Sequence, residues 1–255
     1  MKEEINKLLE RLKFHGMHER LDECLTAFER SGDPPLRLLR DLLQEEWRYR
    51  QERSMHYRLA QAKLPWDWTI DTFPFERQPA VSPHQVRSLA GLDFIGRAEN
   101  VVFIGPPGVG KSGLAMGLLR QAVIQGYRGR FYSAQELIDE LYASLADQST
   151  PRLLKRLANL DLLVIDEIGY LNLQPEQVNA FFKLMELRYH RKATIITTNL
   201  EYEDWYELFQ RKPLVDALLD RLRHHCITIR INGASLRSPS DSHEGECQKP
   251  PDDGA

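Results

Sequence analysis

Short apolar runs recur through the middle of the chain, and stretches with helical spacing separate them. Val101-Val102-Phe103-Ile104 and Leu162-Leu163-Val164-Ile165 contain no polar residue, and residues 194–198 (TIITT) carry no charge. Runs of this length without alternation predict strands covered on both faces, as in a parallel sheet. Residues 130–133 and 227–231 supply two further candidates. Helices are expected over 114–125, 175–188, 201–209 and 213–223, and from Ser133 and Thr150 onward. Ser133 with Glu136 three residues later has capping-box spacing, and Thr150-Pro151 reads as an N-cap followed by proline at the first helical position. The alternation predicts an α/β fold around a central five-stranded parallel sheet.

The flanks carry other patterns. Ile5, Leu8, Leu9 and Leu12 fall on one helical stripe, and Leu36, Leu39, Leu42 and Leu43 on another. Breaks at Gly16 and at Gly32-Asp33-Pro34-Pro35 divide residues 1–63 into three helices, the last running over 35–63, which makes a small all-helical N-terminal domain. Residues 64–90 hold four prolines with Trp66, Trp68, Phe73 and Phe75. That mixture predicts an extended linker pinned by its rings to the α/β domain at 91–237. Residues 238–255 are polar, rich in Pro and Gly and net acidic, the composition of a disordered tail.

The strand at 101–104 delivers the chain into Gly105-Pro106-Pro107-Gly108-Val109-Gly110-Lys111-Ser112-Gly113. A glycine-rich loop between a buried strand and a helix N-terminus turns backbone N–H groups toward an anion. Gly105, Gly108 and Gly110 permit the close approach, Lys111 brings charge to the β- and γ-phosphates, and Ser112 offers a hydroxyl to Mg2+. The pattern is a nucleoside-triphosphate cradle; a glycine turn without a ligand is the bland alternative, and the strand and helix around it weigh against that.

Other polar residues end strands where ligands of parallel sheets sit. Asp166 and Glu167 follow the strand at 162–165: Asp166 would hold Mg2+ through water, and Glu167 would orient and deprotonate an attacking water. An acidic turn is the alternative. Asn199 closes the strand at 194–198 and either meets the attacking water or γ-phosphate, or simply turns the chain. Arg221 follows a helix whose Leu214, Leu218 and Leu222 form its buried side. It either reaches the γ-phosphate of a neighbouring subunit or makes a surface ion pair. Arg237 is a second candidate, acting within its own subunit. His224 and His225 lack a third ligand at metal spacing and read as packing or solvent-facing residues.

Composition sets bounds. A chain of 255 residues, 42% hydrophobic, holds one α/β domain of ordinary size plus a smaller attachment. The net charge of −3 argues neither for nor against nucleic acid, so any basic surface is local. Between positions 47 and 63, Arg48, Arg50, Arg53, Arg58 and Lys63 face the single acid Glu52, with Tyr49 and Tyr57 among them. This stretch either neutralises DNA phosphates or is a solvated helix face balanced by Glu45 and Glu46. Lys155, Arg156, Arg188, Arg191 and Lys192 form a weaker second set. Cys24, Cys226 and Cys247 are widely separated, the N-terminus is charged, and no 18-residue apolar stretch occurs. Those features lead us to expect a cytoplasmic protein with no membrane span.

The assembled blocks resemble the IstB family, helper ATPases of bacterial insertion sequences, which are similar to DnaC helicase loaders within the AAA+ class. The resemblance rests on Thr72-Phe73-Pro74-Phe75, Glu99-Asn100 leading into the glycine loop, and Val164-Ile165-Asp166-Glu167-Ile168-Gly169-Tyr170. Thr197-Thr198-Asn199-Leu200, Trp205, and Ala217 through Asp220-Arg221-Leu222-Arg223-His224-His225 continue it to about Arg237. It implies an AAA+ ATPase that forms an ATP-dependent oligomer, binds and bends duplex DNA and engages the element's transposase. It also implies nucleotide binding at 105–112, Mg2+ and water activation at Asp166 and Glu167, sensing at Asn199 and a trans arginine at Arg221. Two departures stand out. The family often has Lys-Thr-His-Leu where this chain has Lys111-Ser112-Gly113-Leu114, and Gly113 is expected to loosen the first helical turn by about 1 kcal/mol relative to Ala. Ser235-Leu236-Arg237 replaces a common Ser-Tyr-Arg. A helicase loader is the nearest competing function. A small-molecule phosphotransferase would need a lid and acceptor-binding arginines, and a scaffold without turnover would not need Glu167.

Overall fold

The computed structural model describes residues 1–169, 171 and 173–237. Three N-terminal helices, α1 (Lys2–Arg11), α2 (His15–Ser31) and α3 (Pro35–Ala62), lead through a 3-10 turn at Phe75–Arg77 to α4 (Pro83–Ala90) and α5 (Asp93–Gly96). Then follow β1 (Asn100–Ile104), α6 (Lys111–Ile124), β2 (Gly129–Ser133), α7 (Ala134–Ala146), α8 (Thr150–Ala158), β3 (Leu162–Ile168) and α9 (Pro175–Arg188). The order closes with β4 (Ala193–Thr198), a 3-10 turn, α10 (Trp205–Phe209), α11 (Lys212–His224) and β5 (Cys226–Arg230). The expected tail at 238–255 lies outside the described residues, as do Tyr170 and the side chain of His224.

The strands form one sheet in the order β2-β3-β4-β1-β5, every pairing parallel. Apolar side chains on both faces of β1, β3 and β4 are buried in two clusters, one on each side of the sheet. The order has a consequence for chemistry. The acidic pair, Asn199 and the glycine loop leave β3, β4 and β1, three adjacent strands, at their carboxyl ends, where a parallel sheet opens its crevice. The Ser133–Glu136 capping box forms as the spacing predicts.

Beneath the sheet, at the end away from that crevice, Arg188 is 1% exposed. It donates to the carbonyls of Leu157, Leu160 and Ala193 and to Thr194 Oγ1, tying the end of α8 and the approaches to β3 and β4 together. It is therefore a structural clasp and not part of a DNA-facing basic set. Burial pulls its pKa down to about 9, which leaves it protonated at neutral pH and able to serve every acceptor. Arg188→Met would strand several buried oxygens, and we expect a loss of about 3 kcal/mol, read as a lowered midpoint in urea.

The N-terminal helices depart from the expected stripes. Of the eight apolar residues named there, only Leu9 and Leu42 are buried; their small cluster is completed by Met17 and Leu21. The other six are exposed, because α1, α2 and α3 share so thin a core that a single leucine from each of α1 and α3 is buried in it. Glu46, itself buried, anchors this region by accepting the backbone N–H of Gly16 at 2.8 Å and Arg50 Nε at 2.6 Å. Helix α3 continues without a break from this cluster until Ala62 enters the core beside α6 and β2.

The 64–90 segment is less extended than its prolines suggest. Ser82 caps α4 by accepting the N–H of Gln85, with Pro83 at the first helical position; α8 instead begins at Thr150 itself, after Ser149, with Pro151 its second residue and the Thr150 hydroxyl on Ser144. Trp68, Phe73 and Phe75 pack against the α/β core as expected, whereas Trp66 is 60% exposed and pins nothing. Among the described residues, no helix is long and apolar enough to cross a membrane.

Candidate active site

The glycine loop takes the shape its sequence requires. Gly108 and Gly110 adopt φ of +84° and +99°, conformations that side-chain-bearing residues rarely tolerate. They carry the chain into α6, whose first-turn N–H groups have no acceptor within the helix and face the crevice. Lys111 is buried and donates to the carbonyls of Gly105 (2.7 Å) and Pro106 (2.8 Å). Burial lowers its pKa, while Asp166 and Glu167 oppose that shift. The ammonium thus stands within the electrostatic reach of both carboxylates.

Asp166 is buried against its neighbours. Thr197 Oγ–H donates to Asp166 Oδ1, and Ser112 also hydrogen-bonds the carboxylate. Burial raises the pKa of Asp166; the bonds from Thr197 and Ser112 oppose this and Glu167 adds to it. A half-compensated carboxylate beside a hydroxyl is an all-oxygen donor set that suits Mg2+. Glu167 behaves differently. β3 slips register against β4 between Ile165 and Ile168, and Glu167 sits in the left-handed region at φ +64° with its N–H on Thr197 Oγ1 at 2.9 Å. That bulge turns its exposed carboxylate out of the sheet and into the crevice. Thr197 therefore organises both acids, a role that its place inside an apolar run concealed.

Asn199 lines the same cleft, and its Oδ1 is buried with no partner among the described residues. Such an orphaned acceptor fits a water or another donor held at the cleft. Arg237 lines the cleft as well, close enough to Lys111 to disfavour its charge. Arg221 is elsewhere. Its guanidinium lies 5.5 Å over the ring of Tyr189, which precedes β4, at the opposite end of the sheet from the loop. From there it cannot serve its own site. His225 packs edge-on against His190, their centroids 3.8 Å apart, and no metal-holding cluster of three His, Cys, Asp or Glu occurs among the described residues.

Two further parts of the site gave no sequence signal. Gln78 is fully buried, and its Nε2 donates to Val109 O and Ala234 O. Leu236 N donates to Gly108 O at 2.9 Å. Together they lay the 231–237 segment across the loop and so position Arg237. The resulting cleft of about 600 Å3 is bounded by Trp66, Trp68, Arg77, the loop, Glu167, Asn199 and Arg237.

The five basic residues singled out for DNA are dispersed. Arg48 pairs with Glu45, and Arg50 with the buried Glu46 while lying over Phe14. Arg58 donates to Val123 O and to Ser54. Arg53 is exposed and makes no ion pair among the described residues. Lys63 lines a second cleft with Asp166 and Glu167, away from the others.

A glycine-rich phosphate loop after β1, an acidic pair at the carboxyl end of β3 and an asparagine after β4, on a β2-β3-β4-β1-β5 sheet, define a P-loop domain of the AAA+ class. Two solved structures share the fold. The DnaC helicase loader is 25% identical with a TM-score of 0.55, over 67% of this chain and 99% of its own. The replication initiator DnaA bound to AMPPCP and single-stranded DNA is 18% identical with a TM-score of 0.56, over 66% of this chain and 51% of its own. Residues 7–243 match the model of the IstB-like ATP binding protein family, and the chain belongs to that family. It is 39% identical to an ATP-binding protein of insertion sequence IS21 from Pseudomonas aeruginosa, over 96% of this chain and 93% of that one. An ATP-binding protein of IS5376 from Geobacillus stearothermophilus is 34% identical over 98% and 99%.

Proposed function

We propose that the protein binds ATP with Mg2+, hydrolyses it, assembles with further copies on duplex DNA and assists the transposase of an insertion element. The observation that carries the catalytic half is the split of two adjacent carboxylates. Asp166 is buried on Ser112 and Thr197, and Glu167 is turned by the bulge into the cleft. In this reading the loop N–H groups and Lys111 hold the triphosphate, and Ser112 and Asp166 hold Mg2+. The metal supplies positive charge to the reacting phosphoryl group. Glu167 accepts a proton from the attacking water, Asn199 orients that water, and Arg237 meets the terminal phosphate from the overlying segment. Arg221, remote from its own cleft, serves a neighbour's, which makes hydrolysis a property of the oligomer.

The family's insertion-sequence relatives support the DNA and transposase half over a helicase loader, which shares the ATPase machinery. Of the basic residues, Arg48 and Arg53 are the exposed pair whose reversal spares the Glu46 anchor. Their double change to Glu is expected to weaken duplex binding at least tenfold and flatten the plot of log affinity against log salt by about two units. Fluorescence anisotropy with ATP present, from low to moderate salt, reads both; isotherms unchanged across that range would remove these residues from the DNA surface.

A further inference from the structure

Gly113, the departure in the first turn of α6, is matched by a tryptophan. A Cβ at this position would stand 2.8 Å from Trp68 Cε3, so only glycine lets the indole lie against the helix backbone. The same fit recurs one turn either way, with Phe73 against Gly110 and Ile70 against Gly117. The linker is let into α6 along one stripe, and Gly113 vacates space where a loosened turn was expected. Trp68, lying against Gly113, and Met116, one turn beyond Ser112 on α6, line the same cleft as the loop, Glu167 and Asn199. A triphosphate seated on the loop with its terminal phosphate toward Glu167 and Asn199 directs its nucleoside at Trp68 and Met116.

We infer that Trp68 is the stacking platform for the nucleobase, and that Gly113 makes room for it. The inference rests on the nucleotide reading above. Phe73 braces the indole from behind, with centroids 6.4 Å apart, and is itself held edge-on by Phe75 at 4.9 Å. The platform is therefore fixed before any ligand arrives, which keeps the ordering cost of binding low. Trp68, Pro74 and Met116 offer faces and apolar edges in place of hydrogen-bonding amides. Selection then follows ring area, so a purine outranks a pyrimidine.

Calorimetric titration with ATP, CTP and inorganic tripolyphosphate tests this without reference to turnover. Wild type is expected to bind ATP more tightly than CTP, and CTP more tightly than tripolyphosphate. Trp68→Leu is expected to lose roughly ten- to a hundredfold in ATP affinity while tripolyphosphate binding stays within about twofold. Trp68→Phe should recover part of the loss, and Gly113→Ala, which displaces the indole, should lose ATP affinity in the same selective way. Equal ATP affinity in wild type and Trp68→Leu would overturn the platform, and so would parallel loss of ATP and tripolyphosphate, which would mark Trp68 as a prop for the loop. Wild type that binds tripolyphosphate but gains nothing from the base overturns the platform alone; wild type that binds neither overturns the nucleotide reading with it.

Discussion

Lys111→Ala is expected to lower ATP affinity by about a hundredfold or more, on the order of 3 kcal/mol, the value of charge-assisted bonds to phosphate in a sheltered site. The fold should not suffer. Burial lowers the pKa of Lys111, so folding works against its charge, and removing the side chain relieves that cost. Its two partners are loop carbonyls at the cleft, which water can serve. Calorimetry with ATP alongside a thermal melt separates the possibilities. Lost binding with an unchanged or raised melting temperature supports the assignment; wild-type affinity would remove Lys111 from the phosphate site.

Glu167→Gln should do the reverse, leaving ATP affinity within about threefold while turnover falls by roughly two to three orders of magnitude. The amide keeps the size of the side chain, and the contact that holds the bulge is the backbone N–H on Thr197, which the change does not touch. Only the proton acceptor is lost. ATP would persist in the site, and any assembly that depends on bound ATP should accumulate on duplex DNA, visible by light scattering. Turnover equal to wild type would show that the base lies elsewhere. The two substitutions together distinguish binding from chemistry within one cleft.

Much of this site was legible as sequence because its parts are local. The loop is contiguous, and the acidic pair and Asn199 end runs so apolar that strands were their only reasonable reading. α9 matches its expected span of 175–188, and the strand boundaries agree within a residue or so except at β3. What escaped notice depends on the third dimension. β3 extends three residues past its apolar run because a bulge lets Ile168 rejoin β4. Thr197 reads as one more strand residue, yet its hydroxyl holds the Asp166 carboxylate and the Glu167 backbone N–H. Gln78 lies 31 positions from Val109 and 156 from Ala234, and no periodicity announces such a bridge. The basic helix misled in the opposite sense. Its residues are close in sequence, but a helix sends neighbours to different faces, so Arg50 lies over Phe14, Arg58 touches α6 and Lys63 reaches the second cleft.

The uninterrupted course of α3 bears on what nucleotide binding can transmit. Its 28 residues span about 42 Å at 1.5 Å per residue. One end packs on α6 and β2, with its cap Lys63 lining the second cleft, and the other carries the N-terminal helices, with no glycine or internal proline between to act as a hinge. Such a rod can act as a lever: a tilt of about 10° at its root sweeps the far tip through about 7 Å. Were loss of a γ-phosphate to tilt that root, a shift of a few ångströms would grow to the scale on which one duplex groove differs from the next.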